Sequence, residues 1–242
     1  MTKLSVNVNK LATLRNSRGG NNPDVLQETL DIISYGAHGI TVHPRPDGRH
    51  IRKEDVYNIS KAINVEFNIE GYPDRNFINL MKEVKPAQCT MVPDSPHVLT
   101  SNAGWQIEKN VDFLKEVITE LRQQGIRTSL FVDPHTLSSK DIELLKVTGT
   151  DRVELYTEPY AAHYGTDKGA ATLAIYKKSA ADIKKLGIEL NAGHDLNLVN
   201  LKDFLKAIPS IQEVSIGHAL ICDALKFGMK ETVFRYLACL SG

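Results

Sequence analysis

Eight short, mostly apolar segments recur along this 242-residue chain, and each ends on a glycine, a proline or a polar residue. Near-continuous apolar runs of this length are typical of parallel strands that are buried on both faces. In chain order the segments read LSVNVN, GITVHPR, FNIEG, TMVPD, SLFVD, VELYTE, ELNAGHD and VSIGH. This repetition restricts the chain to folds that are built on a parallel sheet.

Helical periodicity fills the intervals between these segments. Helices are predicted from Asp24 to Gly36 and over Lys53–Ile63, Asp74–Val84, Ile107–Gln124, Ser138–Val147, Gly169–Leu186, Leu198–Ala207 and Ala219–Leu240. Strands that alternate with helices favour an α/β fold. Because eight such units follow one another without a break in composition, we predict a single (β/α)8 TIM-barrel domain over residues 1–242. An open doubly wound sheet is the alternative, but no edge strand of lower apolarity and no GxGxxG fingerprint after the first strand support it.

The amino-acid composition limits the kinds of molecule that the protein is expected to bind and where it is expected to be found. Lys and Arg together number 29, as do Asp and Glu, so the formal net charge is zero and argues against binding to nucleic acid or an anionic membrane. The three cysteines show no metal-type spacing and indicate reduced thiols. No segment resembles a signal peptide or a membrane span, so we expect a cytoplasmic protein.

Polar side chains stand where the predicted strands end, and in a β/α barrel these ends meet at the mouth where chemistry occurs. Histidine can donate or accept a proton near neutral pH, and His43, His194 and His218 all occupy such ends. Glu70 ends the third strand, where partial desolvation makes it a candidate general acid or base. The positions that form this predicted ring are Asn7, Asn9, His43, Arg45, Glu70, Asp94, Asp133, Glu154, His194, Asp195 and His218.

Two further interpretations of this ring are weaker. Asp133 and Glu154 fit a scaffold role better than a chemical one, because strand continues beyond Glu154. The strand-end histidines with Glu70 or Asp133 could ring a divalent ion, but no HxH or HExxH spacing supports a metal site, and none is predicted.

Basic residues near the same ends indicate phosphate binding. The segment HPRPDGRHIR carries Arg45 and His50, and Arg15 and Arg18 follow the first strand. The planar arginine fork matches phosphate oxygens, so a phosphorylated small molecule is the expected ligand. Gly217, which ends the eighth strand and opens a helix, is typical of a barrel phosphate site. The polar segment of residues 94–104 is either a lid over the mouth or a solvated connection.

Together these motifs resemble the pyridoxine 5′-phosphate synthase family. The segments that carry the resemblance are LATLRNSRG, GITVHPRPDGRHI, FNIEG, the VPD turn, SLFVD, NAGHDL and IGHALI, which span Val6 to about Ile221. The resemblance implies a barrel with additional helices, a homo-octamer and no cofactor. It also implies condensation of 3-amino-2-oxopropyl phosphate with 1-deoxy-D-xylulose 5-phosphate, with release of inorganic phosphate and water.

The resemblance further implies roles for individual residues. His43 and Glu70 match the proton acceptors of the family, and His194 matches its proton donor. Contacts to deoxyxylulose phosphate are matched by Arg45, His50 and Thr100. Contacts to the amino ketone phosphate are matched by Asn7, Arg18, Gly217 and His218.

Two departures from the family pattern fall at substrate-binding positions. Asn9-Lys10 stands where many members have Asp-His, and Asp195 stands where glycine is common. Lys10 shifts the local charge toward anion binding, whereas Asp195 disfavours a phosphate unless it turns away or pairs with a base. We expect activity to be retained, because His43, Glu70 and His194 are all present.

Two rival functions stay open on the sequence. A phosphosugar aldolase or isomerase would be supported by a Schiff-base lysine, for which only Lys10 is nearly placed. A non-catalytic barrel that binds phosphometabolites would keep ligand affinity without turnover.

Overall fold

The computed structural model describes residues 1–93 and 103–240. Its centre is a closed barrel of eight parallel strands in sequential order, each paired with the next and β8 paired with β1. The predicted (β/α)8 barrel is therefore confirmed. The strands are β1 Lys3–Asn7, β2 Gly39–Val42, β3 Glu66–Gly71, β4 Gln88–Met91, β5 Arg127–Val132, β6 Arg152–Tyr156, β7 Glu189–Gly193 and β8 Ile211–Ile216.

The helices surround this barrel and pack on its outer face. They are α1 Asn9–Arg18, α2 Val25–Ser34, α3 Lys53–Ala62, α4 Arg75–Val84, α5 Ile107–Gln123, α6 Ser139–Thr148, α7 Glu158–His163, α8 Gly169–Lys185, α9 Leu201–Ala207, α10 His218–Phe227 and α11 Met229–Leu240. Within the described ranges, none of them combines the length and apolarity that a membrane-spanning helix needs.

Helix α1 was not predicted, because its buried face lacks apolar periodicity. Only Leu11, Ala12 and Arg15 are buried on it. Arg15 is buried because its guanidinium pairs with the Asp55 carboxylate on α3, with Nη2 donating to Oδ2 at 2.9 Å. A charged residue thus takes a core position that a pattern of hydrophobic residues does not reveal.

Two other sequence predictions were wrong in their limits, one for a helix and one for a strand. The predicted helix Ala219–Leu240 is two helices, because Gly228 adopts a φ of 78° between α10 and α11. Strand β6 ends at Tyr156, and the short helix α7 begins at Glu158, which the sequence pattern had placed in the strand.

The strands are less apolar than their sequences suggested, because polar residues alternate along them and face the barrel interior. Hydrogen bonds pass from strand to strand at one level, with Ser5 Oγ 2.7 Å from Thr41 Oγ1, and Thr90 Oγ1 donating to Asn68 Oδ1 at 3.0 Å. The intervening apolar residues, such as Val6 and Ile40, pack with the helices in the main core. The barrel is therefore lined with polar groups beneath its mouth.

Charged residues form the opposite, amino-terminal end of the barrel. Arg152 donates to Glu189 and Gln88 and lies 3.4 Å from Glu66, which also accepts from Arg127. Glu213 lies buried near this layer, and burial raises the pKa of its carboxyl to about 7.

This raised pKa predicts a pH-dependent loss of stability. The folded state holds the Glu213 proton more tightly than the unfolded state, so stability is lost as the pH rises from the ordinary glutamate range through 7. We expect Glu213→Gln to gain stability relative to wild type, by on the order of 3 kcal/mol at pH 8 and little at pH 4. Urea unfolding across this pH range measures the difference. The matched control is Glu116→Gln at an exposed position on α5, and an equal response of the two variants would contradict the prediction.

Candidate active site

Buried His43 and Glu70 lie side by side at the carboxyl end of the barrel. His43 follows β2 directly and Glu70 is the penultimate residue of β3, so two neighbouring strands place them together. His43 Nδ1 lies 3.9 Å from Glu70 Oε2, and the two residues are 6% and 5% exposed. The structure thus brings together the two residues that the family resemblance matches to proton acceptors.

His43 is neutral at pH 7. Burial is the main reason that its pKa lies well below the ordinary value, and the positive charge of Arg45 lowers it further. A neutral imidazole can accept a proton, so the environment leaves His43 in the form that a general base requires.

The end of the first strand fixes the backbone of His43. Asn9 Oδ1 accepts a hydrogen bond from the His43 N–H at 2.9 Å, and Asn9 N–H donates to Asn7 Oδ1 at 3.0 Å. Sequence reasoning assigned Asn9 to substrate binding and did not foresee this link, because the two residues are 34 positions apart.

His194 lies across the mouth, directly after β7, and aromatic rings hold its side chain. The imidazole centroid is 5.0 Å from that of Phe131, the penultimate residue of β5, and 5.4 Å from that of Tyr156, the last residue of β6. Sequence analysis missed both aromatic residues, since they look like ordinary apolar strand residues.

Glu154 is buried inside the barrel and interacts with Glu70. Burial, followed by the negative charge of Glu70, raises the pKa of Glu154 well above its ordinary value. A Cβ on Gly193 would lie 2.3 Å from Glu154 Oε1, so glycine at that position provides the room that this carboxyl needs. Glu154 therefore points into the barrel interior.

Positive groups gather beside His43. Arg45 is 6% exposed, and the positive charges of Arg45 and the exposed Lys10 act on His50. Burial is the main cause that lowers the pKa of His50 to about 4, which leaves it neutral. His50 Nδ1 accepts from the Ile51 N–H at 2.9 Å, so the ring proton is on Nε2 and can be donated to an anion.

A cavity of about 530 Å³ opens between the loops that follow β2 and β3. His43 and Arg45 line its inner end, and Tyr72 and Phe77 line its apolar wall. Its volume falls within the range of small-molecule sites, roughly 300–1,000 Å³. Acidic and basic side chains both line the remainder of the cavity.

A second group of predicted residues meets where β8 ends. A Cβ on Gly217 would lie 3.0 Å from Asn7 Cβ, so glycine permits the close approach of β1 to the start of α10. The free backbone N–H groups at the start of α10 favour an anion there. His218 and Asp195 line a cavity of about 540 Å³ beside this turn, and the exposed Asp195 carboxylate forms no ion pair within residues 1–93 and 103–240.

The remaining predicted residues are Arg15, Arg18, Asp133, Thr100 and Asp94. Arg15 is held by Asp55, and Arg18 is exposed in the last turn of α1. Asp133 Oδ1 accepts from the His135 N–H at 2.9 Å in the turn after β5. Thr100 and Asp94 lie outside the described residues, as does most of the predicted lid.

The described histidines and carboxylates of the mouth do not form a metal-binding cluster. Within the part of the chain that the structure describes, no three His, Cys, Asp or Glu side chains are placed to hold a metal ion together. The Schiff-base alternative also gains no support, because Lys10 is exposed on α1 and is not buried at a strand end.

Comparison with known proteins decides the family. The family model described as "Pyridoxal phosphate biosynthesis protein PdxJ" matches residues 4–242. The chain belongs to the PdxJ family. It is 57% identical over 236 residues to pyridoxine 5′-phosphate synthase of Porphyromonas gingivalis, with 98% of each chain covered. It is 56% identical over 240 residues to the enzyme of the same name from Bacteroides fragilis, covering 99% of this chain and all of the relative.

Solved structures resemble this PdxJ-family barrel in fold alone. Phosphoribosyl anthranilate isomerase from Thermotoga maritima aligns over all of both chains with a TM-score of 0.65 and 12% identity. The isomerase from Pyrococcus furiosus, covering 100% of this chain and 99% of its own, gives a TM-score of 0.64 with 13% identity.

Proposed function

We propose that this chain is a pyridoxine 5′-phosphate synthase. It condenses 3-amino-2-oxopropyl phosphate with 1-deoxy-D-xylulose 5-phosphate and releases pyridoxine 5′-phosphate, inorganic phosphate and water. Membership of the PdxJ family and the names of its relatives support this activity. The residue roles rest on the geometry of the mouth.

The observation that carries the proposal is the buried pair of His43 and Glu70 beside a basic cluster. Joining an amine to a ketone, dehydrating the adduct and making an aromatic ring requires repeated proton transfer at one place. A neutral imidazole 3.9 Å from a carboxylate supplies two acceptors there. His194, reaching the mouth from β7, acts as the proton donor.

Two anion sites are needed for two phosphorylated substrates. Arg45 and the Nε2–H of His50 bind the phosphate of the deoxyxylulose substrate, and Thr100 adds a contact that the family resemblance implies. Asn7, Arg18, Gly217 and His218 bind the amino ketone phosphate, a role that the start of α10 supports.

The three residues that depart from the family pattern, Asn9, Lys10 and Asp195, can be placed in this scheme. Lys10 adds positive charge on the side of His50 and strengthens the first anion site. Asn9 acts through the backbone of His43. Asp195 is exposed and lines the 540 Å³ cavity together with His218.

A coupled assay tests the proposed reaction. Purified protein is supplied with each substrate alone and with both, and inorganic phosphate and pyridoxine 5′-phosphate are quantified together. We expect both products in equal amounts only when both substrates are present. Phosphate release from one substrate alone, or no product at saturation, would contradict the proposal.

The neutral Asn9 side chain predicts a pH effect. Asn9→Asp keeps an acceptor for the His43 N–H but adds a negative charge, which stabilises the imidazolium form and raises the pKa of His43. The acid limb of the kcat/KM profile is expected to move to higher pH by about one unit. Asn58→Asp, at an exposed position on α3, controls for added charge elsewhere. An unmoved acid limb in Asn9→Asp would count against His43 as the base.

We also propose that the single barrel domain of residues 1–242 assembles as a cytoplasmic homo-octamer. Exposed apolar side chains on α10 and α11 support self-association, since Leu225 is 81% exposed and Phe227 and Phe234 are also exposed. Sedimentation equilibrium measures the assembly, and a mass of one or two chains at micromolar concentration would contradict it.

A further inference from the structure

The backbone that follows β7 carries two successive non-glycine residues in the left-handed region. His194 has a φ of 71° and Asp195 a φ of 50°. Side-chain crowding makes this region unfavourable for residues other than glycine, by roughly 1–3 kcal/mol each. Such a conformation persists only where surrounding contacts hold it, and it is concentrated at sites where geometry matters.

Thr157 supplies a contact that holds this segment. Its side chain is buried between β6 and α7, and its Oγ1 donates to the Gly193 carbonyl at 2.7 Å and contacts the His194 carbonyl within hydrogen-bond range. The Thr157 N–H also donates to the Gly193 carbonyl, at 3.1 Å. One residue therefore engages the carbonyls on both sides of the first left-handed position.

The same strand end fixes the imidazole. Tyr156, which precedes Thr157, packs edge-on against the His194 ring, and Phe131 packs on it from β5. A rotation of the peptide between Gly193 and His194 would withdraw the ring from both aromatic neighbours. Residues at the end of β6 thus contact both the backbone and the ring of His194.

We propose that Thr157 is a positioning residue for the proton donor. Its hydroxyl keeps the backbone of His194 left-handed and so presents the imidazole to the mouth from the side of the barrel opposite β3, where Glu70 lies. The role in catalysis rests on the proposed function of His194. The position of the ring does not, and it can be measured without turnover.

Two substitutions at Thr157 distinguish the effect of its hydroxyl group from the effect of its side-chain volume. Thr157→Val removes the donor but keeps the volume, and the Gly193 and His194 carbonyls still accept from the N–H groups of Thr157 and Leu196. The protein is therefore expected to fold. Thr157→Ser keeps the donor. Thr29→Val removes a comparable buried hydroxyl bond, from Thr29 Oγ1 to the Val25 carbonyl at 2.7 Å, on the distant helix α2.

The test combines nuclear magnetic resonance of the His194 ring with steady-state kinetics. In wild type the ring protons are shifted by the currents of Phe131 and Tyr156, and their resonances are assigned by their absence in His194→Asn. We expect Thr157→Val to move these resonances toward unshifted positions and to lower kcat about tenfold with both KM values unchanged, a loss of about 1.4 kcal/mol. Thr157→Ser and Thr29→Val are expected to keep the resonances and kcat of wild type.

An unmoved His194 resonance in Thr157→Val would overturn the proposal, as would a shift of equal size in Thr29→Val. Resonances that move while kcat stays at the wild-type value would overturn the catalytic part. Absence of turnover in wild type would instead defeat the proposed function, while the resonances would still decide whether Thr157 positions the ring.

Discussion

Glu70→Gln is expected to lower kcat by roughly a thousand-fold, within the range that a positioned acid or base contributes. The amide keeps the size of the side chain but cannot accept a proton, and Glu70 Oε2 lies 3.9 Å from His43 Nδ1 in a buried pair. The affinity for the phosphorylated substrates is expected to change little, because the anion sites lie elsewhere in the mouth. Single-turnover product formation and calorimetric titration with deoxyxylulose phosphate measure the two quantities.

This pairing of measurements separates the enzyme from a binding barrel. A binding module has no turnover to lose, whereas the proposed synthase loses turnover and keeps affinity. Glu143→Gln, at an exposed position on α6, is the matched control and should retain full kcat. Activity of Glu70→Gln within a few-fold of wild type would exclude Glu70 as a proton acceptor.

Arg45→Gln is expected to raise KM for deoxyxylulose phosphate about 30- to 100-fold, since a hydrogen bond between charged groups contributes roughly 2–3 kcal/mol. Arg45 is buried at the inner end of the 530 Å³ cavity, where its charge is poorly screened by water. The KM for the amino ketone phosphate is expected to stay unchanged, because its phosphate site is at the start of α10. Initial rates with each substrate varied in turn measure both constants.

Arg52 provides the matched control for Arg45. It lines the same cavity but is exposed and lies 3.7 Å from Glu54. We expect Arg52→Gln to change KM less than three-fold, as is usual for an exposed charge. Equal effects of the two substitutions would show that the cavity attracts phosphate by its general field and not through Arg45.

The barrel and the position of its mouth could be predicted because each depends on a pattern repeated along the chain. Eight apolar segments followed by helices predict strands whose ends converge, and His43, Glu70 and His194 do lie at those ends. The resemblance added the roles of these residues, which strand position alone does not define.

The rest depends on pairs of residues far apart in the sequence. The burial of Arg15 requires Asp55, and the support of His43 requires Asn9. The strained backbone at His194 requires Thr157, which comes from another strand end. No local pattern encodes these partners, so helix α1 and the supports of the catalytic groups became visible only in three dimensions.

The most direct test of the account is a crystal structure of the protein with 1-deoxy-D-xylulose 5-phosphate bound in the absence of the second substrate. The account predicts that the phosphate contacts the Arg45 guanidinium and His50 Nε2, and that the ketone carbon lies within reach of the His43–Glu70 pair. A phosphate bound only at the start of α10, or a sugar whose ketone faces away from His43 and Glu70, would contradict it.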